Sequence, residues 1–298
     1  MSNEVSIKVV PFSFAWANDL LILFKYRLTS FVVFSAVMAF FASSQGNINW
    51  SNAILLLVGG FCITAASNAL NQVLEKDYDK LMSRTADRPV AAGRMSSAHG
   101  VLVAGVFWIA GLVVLGFINT TAVILGSVAV VMYAFIYTPL KRISPIAVFV
   151  GAIPGAIPLL IGNVAAAGEI NKMGIFLFAI QFIWQFPHFW AIGWMGYDDY
   201  RLAGYKLIAS RDGEKDPMTG IHSALYSLLT IPLAAFGYYN GLINMPVMII
   251  LILVGIGFAW YGYDLYLKGT RLAARQLMFA SLVYLFVSLG AVYLINMF

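Results

Sequence analysis

Asn71, Glu75 and Asp79 are spaced by four, and this sets an amide and two carboxylates in a file along the chain. At about 100° per residue the spacing predicts one face of a helix, with Asn68 a turn earlier on nearly the same stripe. Oxygen donors of mixed amide and carboxylate character suit a hard cation such as Mg²⁺. That ion usually takes one or two carboxylates and shares the rest of its shell with water and substrate phosphate. Arg84 and Arg88 follow, four apart, and guanidinium groups suit the phosphate such a cation brings. The plainer reading is a solvated helix end whose charges pair at i,i+4. It accounts for Lys76, Lys80 and Asp77. It accounts poorly for amides and carboxylates sharing a stripe that starts inside an apolar run, where polar groups are costly.

A second polar stretch reads Tyr197-Asp198-Asp199-Tyr200-Arg201, then Gly204-Tyr205-Lys206 and Arg211. An Asp-Asp pair alone is commonplace in a loop. On the same membrane face as the first cluster, it could help hold one or two cations against a diphosphate, with nearby bases taking the remaining charge. Upstream, Trp184-Gln185-Phe186-Pro187-His188-Phe189-Trp190 puts a glutamine and a histidine inside an apolar run. Such a histidine is commonly a core residue bonded to backbone; its functional readings are an iron ligand or a proton carrier. Lys141-Arg142 follows Tyr137-Thr-Pro-Leu and reads as an orientation signal snorkelling to head groups, or as a clamp for substrate carboxylates or phosphate. His99 and His222, at the ends of apolar runs, read as ordinary. Most of the aromatic residues serve packing and interface anchoring, and some could shield a carbocation.

These residues are carried by an apolar chain. Of 298 residues, 61% are hydrophobic and 10% charged, against about 25% charged in a soluble domain, so lipid is the required solvent. Runs long enough to cross the hydrocarbon core fall near 20–42, 52–74, 98–117, 120–138, 146–164, 174–195, 222–240, 245–264 and 276–297. The expectation is an all-α bundle of about nine spans, one polytopic unit over residues 1–298. With nine spans, 17 of the 18 Lys and Arg lie on one side, Lys172 being the exception. The positive-inside rule then puts the N-terminus in the cytoplasm and Phe298 outside. The net charge of +5 is therefore read as basic cytoplasmic loops, with no nucleic-acid partner. Cys62 stands alone, which excludes a disulfide framework and a cysteine metal site. Met1 to Trp16, with one Lys and no Arg, matches neither a transit peptide nor a signal peptide. A bacterial inner membrane is the expected location.

The pattern alone points to a membrane enzyme that handles a diphosphate through a divalent metal, at a site open to the cytoplasm. Asn71-x3-Glu75-x3-Asp79 with Met82-x-Arg84-Thr85-x2-Arg88-Pro89 resembles the first acidic motif of the UbiA superfamily of intramembrane prenyltransferases. Several other stretches are similar to the branch that farnesylates haem. They are Leu23-Phe-Lys25-x-Arg27-x-Thr29, Tyr137-Thr-Pro-Leu-Lys141-Arg142, Gly151-x2-Pro154-Gly155-Ala156-x-Pro158-x3-Gly162, Trp184-Gln185-Phe186-Pro187-His188-Phe189, Asp198-Asp199-Tyr200-x3-Gly204 and Ala274-Arg275-x-Leu277-x3-Ser281. The chain departs from the pattern at Tyr26, where a proline is expected, and at the adjacent Asp198-Asp199, which the superfamily spaces more widely.

The resemblance implies helices around a central cavity, with Mg²⁺ (Mn²⁺ as the alternative ion) and farnesyl diphosphate at its mouth. Glu75, Asp79, Asp198 and Asp199 would hold the metal beside Asn71, and Arg84, Arg88 and Lys206 the diphosphate. His188, Lys141 and Arg142 are the candidates for contact with haem B, the acceptor substrate. The product would be haem O for a terminal oxidase, with a haem A synthase or oxidase assembly proteins downstream. Transfer to an aromatic quinone precursor and membrane transport are the alternatives.

Overall fold

The computed structural model describes residues 14–295; the readings made above for residues 1–13 and for Phe298 lie outside them. In chain order the helices are α1 (Phe14–Leu23), α2 (Tyr26–Ser43), α3 (Trp50–Asp79), α4 (Ser97–Gly116) and α5 (Thr120–Val131). A π-helical turn, Met132–Tyr137, leads into α6 (Thr138–Leu140), followed by α7 (Ala147–Ala167), α8 (Lys172–Met195) and the short α9 (Tyr197–Leu202). The hairpin β1 (Ser210–Arg211) and β2 (Glu214–Lys215) precedes α10 (Met218–Leu228), α11 (Thr230–Tyr239), α12 (Met245–Lys268) and α13 (Arg271–Ile295). Among the described residues nine helices are long and apolar enough to cross a membrane, α5–α6 and α10–α11 each counting as one. The chain is a multi-pass membrane protein. Large apolar side chains such as Leu102, Ile109, Leu253 and Trp260 stand exposed on α4 and α12, as a lipid-facing surface requires.

Loops that carry nearly all the basic residues meet at one end of the bundle, called here the basic end. The other end is closed by short links. The four helices that start there, α3, α5, α8 and α12, are each capped by an asparagine: Asn49, Asn119, Asn171 and Asn244. Their side chains accept from otherwise unpaired first-turn amides without adding charge.

Three boundaries differ from the apolar runs. The first run is not one helix: it breaks at Lys25, whose backbone is left-handed (φ 47). α3 extends the second run to Asp79, as the four-residue spacing required. The seventh run divides at Leu229 into α10 and α11. α7 stays helical through Pro154 and Pro158, which a span tolerates when neighbours meet its freed backbone groups. Gln185 Nε2 also ties α8 to α7, donating to Ala152 O at 3.0 Å. Close approach needs glycine here: a Cβ on Gly162 would strike the Ala36 carbonyl of α2, and one on Gly155 the Gln185 amide. The hairpin falls in a polar link between apolar runs, where hydropathy carries no strand signal. Asp212 (φ 53) and Gly213 (φ 83) supply the two left-handed residues of a tight turn.

α2 packs on α7 and α3, α3 on α4, α7 on α8, and α8 on α13. Two apolar cores result, one chiefly of α2–α5 and α7, the other chiefly of α8 and α11–α13. Between them lies a cavity of about 450 Å³.

Candidate active site

The cavity mouth, at the basic end, is lined by Glu75, Asp79, Arg84, Arg88, Lys141 and Tyr205. Deeper, α8 contributes Gln181, Trp184, Gln185 and His188. Phe31 and Phe34 of α2 and Phe286 of α13 also line it while being 56%, 43% and 40% exposed, so the cavity reaches the outer surface between these helices.

Asn71, Glu75 and Asp79 share the cavity wall, as their spacing predicts, and all are buried: Glu75 is 4% exposed and Asp79 0%. Arg88 Nη1 donates to both Asp79 oxygens, at 2.8 and 2.7 Å, and Lys141 forms an ion pair with Glu75. Asn71 is held from both ends. Its Oδ1 accepts from Lys25 Nζ at 2.7 Å, and its Nδ2 donates to Thr138 Oγ1 at 3.0 Å. Thr138 in turn donates to Tyr133 O at 2.9 Å, five residues back, which is the spacing of the π-helical turn. Two carboxylates thus sit among three basic side chains, so the group does not repel an anion.

Lys25 reaches this position because the α1–α2 corner is pinned to α3. Asn68 Nδ2 donates to Phe24 O and Thr29 Oγ1, and Gln72 Nε2 to Ile22 O and Leu23 O, over 2.8–3.3 Å. Asn68, on the sequence stripe, is therefore a fastener of the corner. Burial, then the Arg88 charge, pushes the Lys25 ammonium well below the usual lysine range, against the pull of Glu75. Burial, then the charges of Glu75 and Asp79, pushes the Tyr205 phenol up, so it stays protonated beside the acids.

The second stretch docks on the first. Ser83 Oγ donates to Asp199 at 3.0 Å, and Arg84 Nη2 to Tyr200 OH at 3.1 Å. The four acids expected to share a metal are nevertheless not gathered: among the described residues no group of three or more His, Cys, Asp or Glu side chains is placed to hold an ion. On α9, a helix of six residues, Asp198 faces outward, exposed, while Asp199 is turned to Ser83. Lys206 is exposed and does not line the cavity; its backbone N–H donates to Lys141 O at 2.7 Å, anchoring the loop. Lys141 belongs with the acids. Arg142 is turned away from the cavity, its guanidinium 4.1 Å over the Tyr78 ring. Asp77 is a surface residue paired with Lys80 at 3.0 Å, and His99 and His222 are exposed. His188 lines the cavity, with Nδ1 2.7 Å from Ser281 Oγ.

Lys25, Tyr205, Thr138 and Ser281 were not singled out from the sequence as site residues. A lysine between apolar residues at the head of a span was the available signal for Lys25. The other three are ordinary residues until the fold brings them in.

The sequence profile described as the UbiA prenyltransferase family matches residues 32–296. A protoheme IX farnesyltransferase of Cytophaga hutchinsonii is 43% identical over 262 residues, 88% of this chain and 91% of that protein. One of Christiangramia forsetii is 43% identical over 278 residues, 92% and 91% of the two chains. Among solved structures, one described with digeranylgeranylglyceryl phosphate synthase superposes with a TM-score of 0.78 at 17% identity, covering 94% of this chain and 98% of the other. A UbiA homologue from Archaeoglobus fulgidus bound to GPP and Mg²⁺ superposes with a TM-score of 0.67 at 16% identity, covering 92% and 99%. At such identities these two likenesses concern the fold.

Proposed function

The chain belongs to the UbiA prenyltransferase family, and from that premise we propose that it transfers a farnesyl group from farnesyl diphosphate to a vinyl group of haem B, yielding haem O. One observation carries the chemistry: two buried carboxylates and an oriented amide stand among basic groups at the mouth of a cavity whose depth is mostly aromatic and aliphatic. Such a site takes a charged head at its mouth and an isoprenoid tail within. The relatives named protoheme IX farnesyltransferase, 43% identical over most of the chain, support haem as the acceptor. Transport fits less well, because carriers place coupling charges near the midplane on broken helices, and these acids lie at one end.

The donor set fits Mg²⁺. Glu75 and Asp79 supply the one or two carboxylates the ion prefers and would hold it, with water and diphosphate completing its shell; Asp198 and Asp199 stand apart from them at the rim. When bound, the ion neutralises charge on the leaving diphosphate. Arg88 and Arg84, both on the cavity wall, bind the phosphate oxygens, and Lys141 and Lys25 offset the remaining charge beside them. Tyr133 and Tyr137 line the same cavity, and their ring faces shelter the allylic cation formed as the C–O bond breaks. His188 contacts the haem side of the cavity. The basic end faces the cytoplasm of a bacterium, the chain lying in its inner membrane.

The deciding measurement is mass spectrometry of haems from cells producing this chain, repeated with purified protein and Mg²⁺ or Mn²⁺. A haem heavier by one hydroxyethylfarnesyl modification is expected, and excess chelator should abolish its formation. Prenylation of a hydroxybenzoate or naphthoate with haem left unchanged would reject the acceptor. Full turnover in chelator would reject the metal.

A further inference from the structure

The deep wall of the cavity carries polar groups that diphosphate chemistry does not use. Gln181, Trp184, Gln185 and His188 fall on one stripe of α8 and all line the cavity. The Ser281 hydroxyl donates to Met278 O at 2.5 Å, which spends its single proton. Its contact with His188 Nδ1 at 2.7 Å is therefore one in which Nδ1–H donates and Ser281 Oγ accepts. In the neutral imidazole this leaves the lone pair on Nε2, on the far side of the ring from Ser281. Trp184 stacks on the imidazole, centroids 4.6 Å apart at 21°, and its Nε1 donates to Ser281 O at 2.5 Å. Ser281 thus fixes both rings. No hydrogen bond from His188 Nε2 to another side chain or to the backbone is found among the described residues. Two turns along the same stripe, Gln181 is 7% exposed and its Oε1 is buried with no partner. The two acceptors lie about 10 Å apart along the helix, so they mark separate places; beside His188 Nε2, on a ring that lines the cavity, water is the small protic molecule at hand.

We propose that His188, positioned by Ser281, is the base that deprotonates the water completing the reaction. The inference rests on the haem-farnesylating reading above. In that reaction the farnesyl C1–O bond breaks and its electron pair leaves with the diphosphate. The vinyl π pair forms the bond from its terminal carbon to C1, leaving the neighbouring vinyl carbon electron-deficient. A water oxygen bonds to that carbon, its proton passes to His188 Nε2, and the proton is then released to solvent. Atoms and charge balance with no oxidant or reductant. The two cations must meet water differently: the allylic one must be kept from it and the second must receive it. The two carbons are only two bonds apart, so order in time separates them: the second cation exists only once the new carbon–carbon bond has formed. His188 lies seven residues before Met195, the end of α8, or about 10 Å along the helix from the basic end, away from bulk water.

The test uses the purified full-length chain in lipid nanodiscs with haem B, farnesyl diphosphate and Mg²⁺. Products are resolved by mass and haem binding is followed by the Soret band. His188→Gln should still farnesylate haem, but the ratio of alcohol to the alkene lighter by one water should fall by about a hundredfold or more, the usual worth of a positioned base. The Soret position should not change, since the proposal gives His188 no bond to iron. Ser281→Ala should move the ratio the same way by at least about tenfold, and Ser281→Thr should restore it. A wild-type ratio in His188→Gln overturns the proposal. So does a displaced Soret band with weakened haem binding, which would make His188 an iron ligand. Should His188→Gln fail to fold or to farnesylate, Ser281→Ala decides, and an unchanged ratio there overturns it. Absence of any farnesylated haem from the wild-type chain would instead reject the underlying reading.

Discussion

Asp79 is wholly buried and gripped at both oxygens by Arg88, while Glu75 is paired with Lys141. Substitutions that keep shape and remove charge are the sharpest probes of such a pair. Glu75→Gln and Asp79→Asn should each lower turnover by about tenfold to a hundredfold, about 1.4 to 2.7 kcal/mol of barrier. Lys76→Gln, whose amine reaches only Ser97 on another face, should be mild. Wild-type turnover in both carboxylate variants would remove the stripe from the active site. Arg88→Ala should cost roughly a hundredfold, whereas Lys206→Ala, exposed and off the cavity, should stay within about twofold, as a surface change does. Steady-state assays of the five variants check the contrast; a severe Lys206→Ala would return that lysine to the site. The stripe was legible because helical periodicity converts four-residue spacing into a shared face. The rim was not. Which way Asp198, Lys206 and Arg142 point is set by how two loops dock, through Ser83–Asp199 and Arg84–Tyr200, and adjacency in sequence carries no such information.

At the scale of elements, the α1–α2 corner shows how the fold delivers a charge that hydropathy does not forecast. Lys25 adopts a left-handed backbone, which costs a residue with a Cβ roughly 1–2 kcal/mol, and its ammonium is directed to Asn71. Lys25→Gly separates the two roles. Relief of the backbone and loss of a buried amine should leave stability within about 1 kcal/mol of wild type, since glycine also loses more chain entropy on folding. Turnover should nonetheless fall by about tenfold or more. Thermal unfolding and activity of the same preparation read both, and unchanged activity would make the corner purely structural. The number and order of the long helices were legible, since a run of some twenty apolar residues has few other fates. The breaks at Lys25 and Leu229 were not, because both fall inside runs whose average hydropathy is that of a single span. The corner at Lys25 depends on tertiary partners, being tied down by Asn68 and Gln72 of α3.

For the whole molecule, the distribution of Lys and Arg makes the orientation testable. In a chain without Cys62, a cysteine at Glu214 should be labelled by a membrane-impermeant reagent from the cytoplasmic side, and one at Glu169 from the opposite side. Both positions are exposed. The reverse pattern would overturn the orientation argued from charge. The opening between α2 and α13, where Phe31, Phe34 and Phe286 line the cavity and yet stand exposed, has a consequence for how turnover ends. On the proposed reaction the two products differ sharply in solubility: diphosphate belongs to water, and a haem bearing a fifteen-carbon chain belongs to hydrocarbon, about 0.8 kcal/mol for each buried methylene. A chamber with a charged mouth at one end and an apolar slot at its side works as a phase-transfer device. Each product partitions through its own exit into the phase that holds it, and the separation makes the reverse reaction a meeting of species from two solvents.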